Sequence, residues 1–322
     1  MIENQTHKPK VSILIPVFNR KDYIAECIQS ALDQTFKDFE VVVVDNASDD
    51  GTWEVCQQFS AKDRRVRIFQ NDTNIGPVLN WLACVEQAQG EFGKILFSDD
   101  LMFPTFLEHT LPYLEDIEVG FVSTATWIGS KIENRVVRYS NSNEEQILSS
   151  ERYFELLLTA CAPFSPGAAI FRITDMRLNL RSSFPTCISR DFSKNGAGPD
   201  VLLYALTALS YKFVVMLHVA DVFFRGHADS FTTANSDEVT KGYRSALAWF
   251  FRTKLSKDYW IKYVARAWIS KVINTRRLFS LTKHCLELEG SGGIIETSAV
   301  LIAVAHIAIV ELFKSAYKGI KQ

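Results

Sequence analysis

Polar and acidic side chains follow the apolar runs of the first hundred residues, at positions where a ligand could be bound. They are Asn19, Arg20, Asp45, Asn46, Ser98, Asp99 and Asp100. In an open α/β sheet, ligands sit beyond the carboxyl ends of the strands, so Asp45, Asp99 and Asp100 would meet at one edge. Adjacent carboxylates repel one another unless protons or a cation intervene, and Mg²⁺ or Mn²⁺ with substrate phosphates would supply the cation. The alternative is that Asp99 and Asp100 merely cap a helix that begins near Pro104.

Several common catalytic and phosphate-binding motifs are absent from the sequence. It contains no GxGxxG or GxxxxGK[ST] phosphate loop and no GxSxG nucleophile elbow. The six cysteines form no CxxC pair, which argues against a zinc site and predicts buried free thiols. Several acids and few glycines at a sheet edge suit a nucleotide that is held by its base and ribose, with a metal on its diphosphate.

Alternating strand and helix signals would position these side chains. The predicted strands are Val11–Phe18, Phe39–Asp45, Val66–Gln70 and Gly93–Phe97, and the predicted helices are Lys21–Leu32, Trp53–Phe59 and Val78–Gln87. Helices between short, β-branched apolar strands indicate βαβ units and an open, mostly parallel sheet. The fold class is therefore α/β. With 47% hydrophobic and 22% charged residues, the composition is that of a globular protein.

The pattern changes beyond residue 118. A hairpin of Val119–Ile128 and Lys131–Tyr139, turning at Gly129–Ser130, is followed by predicted helices and strands and then by helices alone. The helices are Glu151–Thr159 and Asp200–Leu209, and the strands are Lys212–Leu217 and Ala220–Arg225. We place a boundary near residue 236, which predicts a catalytic and nucleotide-binding domain over 1–235 and a helical segment over 236–322.

Three linked motifs carry a family resemblance across roughly residues 9–230. VSILIPVFNR, VVVVDNASDDGT and NDTNIGPVLNWLACVEQAQGEFGKILFSDDLMFP resemble the nucleotide-sugar domain of family 2 glycosyltransferases, which have the GT-A (Rossmann-like) fold. The resemblance implies metal-dependent transfer of a sugar from a nucleotide diphosphate donor to an acceptor hydroxyl. One departure is that FSDD stands where many members have DxDD, which removes one acid and keeps the two nearest the metal.

The resemblance also implies roles for matching residues. Residues expected to bind the donor are Pro16, Phe18, Asp45, Gly76, Asn80, Asp99 and Arg225. Pro16 and Phe18 would contact the base and ribose, Asp45 the base, and Asp99 the ribose or sugar. Asp100 would hold Mn²⁺ or Mg²⁺. In a segment resembling the family's R-x-H-x-x-S, Arg225 would pair with phosphate and His227 would contact phosphate or the metal.

An inverting member of this family also needs a general base. The resemblance implies an acid at a helix start roughly a hundred residues after the metal motif, and Asp200 in GAGPDVLLYAL fits. Its carboxylate would remove the proton of the acceptor hydroxyl during attack on the anomeric carbon. Asp191 is the competing candidate, and a plain helix N-cap is the other interpretation of Asp200.

The C-terminal segment differs in charge from the rest of the chain. Between Lys241 and Cys285 there are eleven Lys and Arg, one acid and nine aromatic residues, whereas the whole chain has a net charge of −2. Basic and aromatic helices suit an anionic membrane surface. The alternative is a helical bundle with a solvated basic face, and the acidic body argues against nucleic acid. Ile294–Val310 is interrupted by Glu296 and His306, so we predict a buried or interfacial helix there.

The chain as a whole resembles bacterial enzymes that assemble O-antigen or capsular polysaccharide on lipid carriers. This resemblance implies a lipid-linked saccharide acceptor at the cytoplasmic face of the inner membrane, and the N-terminus shows no signal peptide. Family frequency favours a UDP-sugar, while NIGPVLN and FRGHADSF keep dideoxyhexosyl donors open. The alternative from another class is a non-catalytic sugar-nucleotide-binding or scaffold protein.

Overall fold

The structure, a computed structural model, describes residues 8–138, 145–186, 191–194, 196–227, 236–275 and 299–307. Its strands are β1 (Val11–Val17), β2 (Phe39–Asp45), β3 (Val66–Gln70), β4 (Phe92–Ile95), β5 (Leu101–Met102), β6 (Val119–Gly129), β7 (Val136–Arg138), β8 (Gln146–Ser149), β9 (Ala169–Arg172) and β10 (Phe213–Arg225). Its helices are α1 (Lys21–Leu32), α2 (Thr52–Lys62), α3 (Pro77–Gln87), α4 (Phe106–Leu114), α5 (Ser150–Leu158), α6 (Ile173–Asn179), α7 (Pro199–Leu209), α8 (Ser236–Lys254) and α9 (Lys257–Thr275).

The strands form one mixed sheet in the order β3-β2-β1-β4-β9-β6-β10-β5. The first four strands of this order are parallel, and β6 and β10 are parallel to each other. Between these two groups lies β9, which is antiparallel to both β4 and β6. The α/β class and the mostly parallel sheet are therefore confirmed. Strands β1, β2, β4 and β10 each precede a polar loop. All four have their carboxyl ends at the same edge of the sheet.

Helices cover both faces of the sheet because alternate residues of β1 and β2 point in opposite directions. Leu14, Val42 and Val44 pack with α3, α6 and α7 on one face. Ile13 and Val43 pack with α1, α2 and α4 on the other face. With both faces buried, these strands are mostly apolar, and their carboxyl ends are fixed in position.

Three expectations about the second half need correction. The two runs Lys212–Leu217 and Ala220–Arg225 form a single strand, β10, because the chain continues through shifts in its pairing with β6. The expected hairpin exists as antiparallel β6 and β7, but a 3-10 helix, Ile132–Asn134, lengthens the connection. Cys161 is exposed, whereas Cys27, Cys56 and Cys84 are buried thiols as expected, and the remaining cysteines, Cys187 and Cys285, lie outside the described residues.

The aromatic residues of α8 and α9 pack inward. Phe250, Phe251, Trp260 and Tyr263 are buried in the same cluster as α7, and the other described aromatics of these helices are half-buried against it. This packing is what the helical-bundle alternative predicts for these aromatics, and association with a membrane surface stays a prediction. The boundary near residue 236 stays a prediction, as does the helix over Ile294–Val310, most of which is outside the described ranges. Among the described helices, none is both long and apolar enough to cross a membrane.

Candidate functional site

The loops that follow β1 and β2 are tied to each other at the carboxyl edge of the sheet. The backbone N–H of Asn19 donates to Ser48 Oγ at 2.9 Å. The Asn19 amide donates to Asp49 Oδ1 at 2.9 Å and accepts from the Asp49 backbone N–H at 3.1 Å. Asn19 and Ala47 both have left-handed backbone conformations, with φ of 49° and 62°. Such conformations in non-glycine residues persist only where surrounding bonds hold them.

Asp45 is the last residue of β2 and is fully buried. Its carboxylate accepts hydrogen bonds from the Ser48 hydroxyl, from the Ser48 backbone N–H at 3.1 Å and from Gln70 Nε2 at 2.9 Å. Three donors compensate the burial of one carboxylate. The side chain is therefore held in one orientation beside the end of β1.

Pro16 and Phe18 differ in exposure although they are two residues apart. Pro16 lies inside β1 opposite Val44 and is buried. Phe18 follows the strand and is 39% exposed. An exposed phenyl ring at the end of a buried strand offers an apolar face beside Asp45.

An amide network holds the loop between β3 and α3. Asn71 donates to the side-chain oxygens of Asn46 and Asn80, each at 3.0 Å. Asn80 in turn donates to the Val44 carbonyl at 3.0 Å, and Asn46 donates to Asn74 Oδ1 at 2.9 Å. Sequence analysis identified Asn80 but missed the roles of Asn71 and Asn74, for which the NDTN cluster was the available signal.

Gly76 ends this loop directly before α3. Its φ is 89°, and a Cβ atom there would lie 2.8 Å from the Ser193 carbonyl oxygen. Both the left-handed backbone and the close approach require glycine. Gly76 therefore allows the loop before α3 to pack closely against the segment that contains Asp191 and Ser193.

Asp99 and Asp100 contact the end of β10 and the residues directly after it. Asp99 Oδ2 lies 2.8 Å from His227 Nε2 and 3.6 Å from Arg20 Nε. The backbone N–H of Arg225 donates to Asp100 Oδ1 at 2.9 Å. The alternative of a helix cap is wrong, because α4 begins at Phe106 with Thr105 at its N-cap.

The charges at this position are poorly compensated by the protein alone. Asp100 is 7% exposed, and burial together with the neighbouring Asp99 raises its pKa well above the ordinary range, against the opposing effects of Arg225 and Lys94. His227 Nδ1 is buried and has no hydrogen-bond partner among the residues that the structure describes. In the described ranges, no group of three or more His, Cys, Asp or Glu side chains is arranged as a metal cage. A bound cation would relieve both Asp100 and His227.

Arg225 is paired with residues of α1 that sequence analysis missed. Its Nη2 donates to Glu26 Oε2 at 2.6 Å and its Nε to the Asp99 carbonyl at 3.0 Å. The guanidinium lies 5.2 Å from the ring of Tyr23, which also stacks on His227 at 5.5 Å. Tyr23 and Glu26 are three residues apart and share one helix face, which was the available signal. The expected phosphate ligand thus already has a carboxylate partner.

Asp200 lies in the first turn of α7, behind Pro199. Its Oδ1 accepts from the backbone N–H groups of Gly198 at 2.9 Å and Val201 at 2.7 Å, and its Oδ2 accepts from the Tyr243 hydroxyl at 2.7 Å. The side chain is 7% exposed, and burial raises its pKa to about 7. The N-cap of α7 is Gly198, so Asp200 is not the helix cap; one of its oxygens accepts from backbone N–H groups at the helix start, and the other is held by α8.

The start of α7 is connected to the end of β4 through aromatic packing. The ring centroids of Trp81 and Phe97 are 5.4 Å apart. A Cβ atom on Gly196 would lie 2.2 Å from Trp81 Cη2, so the indole packs directly on the backbone before Asp200. Sequence analysis treated Trp81 as a core aromatic, and it is buried.

Asp191 has the opposite environment from Asp200. It is exposed and accepts hydrogen bonds from the Ser193 backbone N–H at 3.0 Å and the Ser193 hydroxyl at 2.6 Å. These bonds lower the pKa of Asp191 below its ordinary value. The two candidate bases therefore differ in basicity at neutral pH.

The sequence over residues 12–184, more than half of the 322 residues, matches the family described as Glycosyl transferase family 2, and the chain belongs to this family. A Bacillus subtilis (strain 168) protein named provisionally as teichuronic acid biosynthesis glycosyltransferase TuaG is 33% identical over 117 residues, 36% of this chain and 46% of that protein. An uncharacterized glycosyltransferase of Rickettsia felis is 34% identical over 202 residues, 62% of this chain and 33% of that protein. The matches span less than half of these relatives.

Solved structures of S. aureus TarS share the fold. The complex of TarS 1-349 with UDP-GlcNAc has a TM-score of 0.61 at 17% identity, covering 87% of this chain and 79% of that chain. The complex with UDP has a TM-score of 0.55 at 19% identity, covering 80% of each chain. At such identities the likeness concerns the fold, and the expectation of a GT-A fold is confirmed.

Proposed function

We propose that this protein transfers a sugar from a nucleotide diphosphate donor to an acceptor hydroxyl at the carboxyl edge of its sheet. The observation that carries the proposal is the convergence of buried Asp45, the Asp99–Asp100 pair and the Arg225–His227 segment on one edge, in a chain of glycosyl transferase family 2. The UDP-GlcNAc and UDP bound in the TarS complexes support a UDP-sugar as the proposed donor.

The donor nucleoside would bind at the ends of β1 and β2. Phe18 offers an exposed ring for the base, next to buried Pro16, and Asp45 offers carboxylate oxygens to base N–H groups. Gly76 and Asn80 would border the donor through the loop before α3, which the asparagine network holds. Asp99 would bind a ribose or sugar hydroxyl.

Asp100 and His227 suit a divalent cation, in accordance with the raised pKa of Asp100 and the unpartnered Nδ1 of His227. Mn²⁺ or Mg²⁺ held by these two side chains would neutralise the diphosphate and stabilise its departure. Asp99 holds the His227 ring through Nε2, so that Nδ1 is free to act as a ligand. Arg225 would add a positive charge toward the phosphates if it exchanged its bond with Glu26.

Asp200 is the proposed general base. A carboxylate with a pKa near 7 is partly ionised at neutral pH and has enough basicity to take the proton from a hydroxyl. The acceptor oxygen would attack the anomeric carbon as its proton passes to Asp200, and the bond from that carbon to the diphosphate would break with inversion. The lowered pKa of Asp191 makes it the weaker base.

The proposed acceptor is a lipid-linked saccharide in the synthesis of O-antigen, capsule or another surface polysaccharide, reached at the cytoplasmic face of the inner membrane. The exposed basic side chains Lys241, Arg244, Lys254 and Lys257 support a peripheral contact with anionic headgroups. Because the aromatics of α8 and α9 pack inward, charge would dominate this contact. Cosedimentation with anionic liposomes should then be lost at high salt, and failure to bind at low salt would contradict this step.

A donor screen by calorimetry tests the central proposal. The full chain with Mn²⁺ is titrated with UDP-, GDP-, CDP- and dTDP-sugars, and EDTA serves as the control. We expect metal-dependent binding of one nucleotide class. Absence of binding to all four would contradict the proposal, whereas binding without turnover on any acceptor would favour a sugar-nucleotide-binding or scaffold protein.

A further inference from the structure

One contact joins the C-terminal helices to the proposed base. The hydroxyl of Tyr243 in α8 donates to Asp200 Oδ2 at 2.7 Å across 43 residues of sequence. The other carboxylate oxygen is already bonded to backbone N–H groups of Gly198 and Val201. Tyr243 therefore donates to Oδ2, whereas the backbone N–H groups at the start of α7 donate to Oδ1.

The backbone of α8 is built to approach the start of α7 closely. A Cβ atom on Gly242 would lie 2.3 Å from the Ala197 carbonyl oxygen. Gly198 has a φ of 120°, and a Cβ atom there would lie 3.3 Å from the Gly242 carbonyl oxygen. Two glycines face each other at the point where Tyr243 reaches Asp200, which fixes the distance between the helices.

The ring of Tyr243 is also held from the opposite direction. Its centroid lies 4.9 Å from that of Phe164, with the rings at 63°. The carbonyls on both sides of Phe164 are fixed: Tyr153 donates to Pro163 O at 3.0 Å and Tyr204 to Ser165 O at 2.7 Å. The phenol therefore rests on a segment that cannot readily move.

Lys94 extends this support to the strand that leads into Asp99 and Asp100. Its fully buried ammonium group in β4 donates to Gly167 O and, at 2.8 Å, to Ile95 O. Tyr243 is thus connected through the segment of residues 163–167 to the strand that carries the metal motif.

We propose that Tyr243 is a positioning residue, through which α8 fixes the Asp200 carboxylate and favours its ionised form. This inference rests on the proposed role of Asp200 as the general base. It makes the C-terminal helices a part of the catalytic site, in addition to any membrane contact they make.

The physical basis is the competition between burial and hydrogen bonding. Burial disfavours the carboxylate, whereas a donated hydrogen bond favours it. Among the described residues, the titratable side chains that interact with Asp200 are Tyr243 from α8 and Tyr204 from α7. Burial raises the pKa of Tyr204 well above its ordinary value, so Tyr204 stays neutral while Asp200 titrates. Loss of the Tyr243 hydroxyl should therefore raise the pKa of Asp200.

Carbon-13 NMR of the full chain with labelled aspartate carboxyls tests the inference without any substrate. The Asp200 signal is assigned by its loss in Asp200→Asn. We expect Tyr243→Phe to raise the Asp200 titration midpoint by about one pH unit, the scale of one hydrogen bond to a charged group. The matched control is Tyr263→Phe, which removes a bond of similar length, 2.9 Å to Arg244 O, from the same helical layer. An unchanged midpoint in Tyr243→Phe would overturn the inference.

A second variant and a kinetic measurement complete the test. Phe164→Leu keeps the hydroxyl but removes the ring behind Tyr243, and a smaller upward shift is expected. In turnover, Tyr243→Phe should move the acid limb of the kcat profile upward by the same amount and leave the donor KM unchanged. If Asp200→Asn retained turnover while Tyr243→Phe still shifted the midpoint, the role of Asp200 as base would fail and the link between α8 and Asp200 would stand.

Discussion

The donor and base sides of the proposed site are built in different ways. On the donor side, Asp45 at the end of β2 accepts from Ser48 and Gln70, and Asp100 accepts from the backbone N–H of Arg225, 125 residues away. On the base side, Asp200 is positioned by apolar packing and by Tyr243, 43 residues away. The comparison teaches that strand ends and polar loops position the donor carboxylates, whereas helix packing positions the proposed base, and that both Asp100 and Asp200 need partners distant in sequence.

The buried carboxylates of the two sides also differ in how many hydrogen-bond donors compensate their charge. Asp45 has three donors from neighbouring residues. Asp200 likewise has three donors, one of which comes from a separate helix. Asp100 has one backbone donor and a second carboxylate beside it, which raises its pKa. Asp100 therefore lacks compensation that a bound cation would supply, whereas Asp45 and Asp200 are compensated by hydrogen bonds within the fold.

The largest expected effect comes from removing the base. Asp200→Asn should lower turnover by about 100- to 10,000-fold, the range for loss of a general base, because an amide cannot accept the proton. Donor affinity should stay as in the wild type, since Asp200 lies on the other side of the comparison. Initial rates and calorimetry on the same preparations check both parts. Asp191→Asn is the matched control, and a comparable loss in that variant would assign the base to Asp191.

The strands and helices that carry the donor-side residues were predicted well because their sequence signals are local. The bounds of α1, β2 and β3 agree with the structure, and strand order alone places Asp45 and Asp99 at one edge. The sequence did not predict β9, because four residues, Ala169–Arg172, give little periodic signal.

The contacts of Asp200 could not be predicted from the sequence, and the reason is different from that for β9. Asp200 was identified from a family pattern, but its partner Tyr243 is set by how α7 and α8 pack. For the C-terminal aromatics, composition left both a membrane surface and a helical bundle open. Composition does not say which side of a helix faces the core, and Trp260 and Tyr263 are in fact buried.

The next largest effect is expected on the donor side, where Asp100 is the proposed metal ligand. Asp100→Asn should weaken Mn²⁺-dependent donor binding by roughly 100-fold, because one anionic metal ligand is lost. Burial disfavours the charge of Asp100, so the amide should not destabilise the fold. Calorimetry with and without EDTA measures the effect, with Glu91→Gln, at an exposed ion pair with Lys10, as the control.

The same carboxylate predicts how metal binding depends on pH. Because the pKa of Asp100 is raised, protons compete with the cation, and Mn²⁺ affinity should fall as pH decreases through that raised pKa. Titrations of Mn²⁺ at a series of pH values check the direction. A wild-type affinity independent of pH in the mildly acidic range would contradict Asp100 as a ligand.

A smaller effect is expected from the polar scaffold of the donor side. Asn80→Leu removes the bond to the Val44 carbonyl and one of the two bonds that the Asn71 amide donates, which should lower the free energy of unfolding by about 1–3 kcal/mol. Urea denaturation measures the change, and Gln58→Leu, on an exposed position of α2, is the control. A loss no larger than that of the control would mean that the network adds little to the stability of this loop.

The smallest expected effect concerns the pair formed by Arg225 and Glu26. Glu26 is 53% exposed and Arg225 is 15% exposed, so Glu26→Gln should cost at most about 0.5 kcal/mol of stability. Donor affinity should rise by about twofold to threefold, because the guanidinium no longer divides its charge between Glu26 and the donor phosphates, and 1 M salt should remove most of the difference. Calorimetry at two salt concentrations measures it. A fall in affinity would instead mean that Glu26 positions Arg225 for the phosphates, and the donor side would then depend on a helix contact, as the base side does.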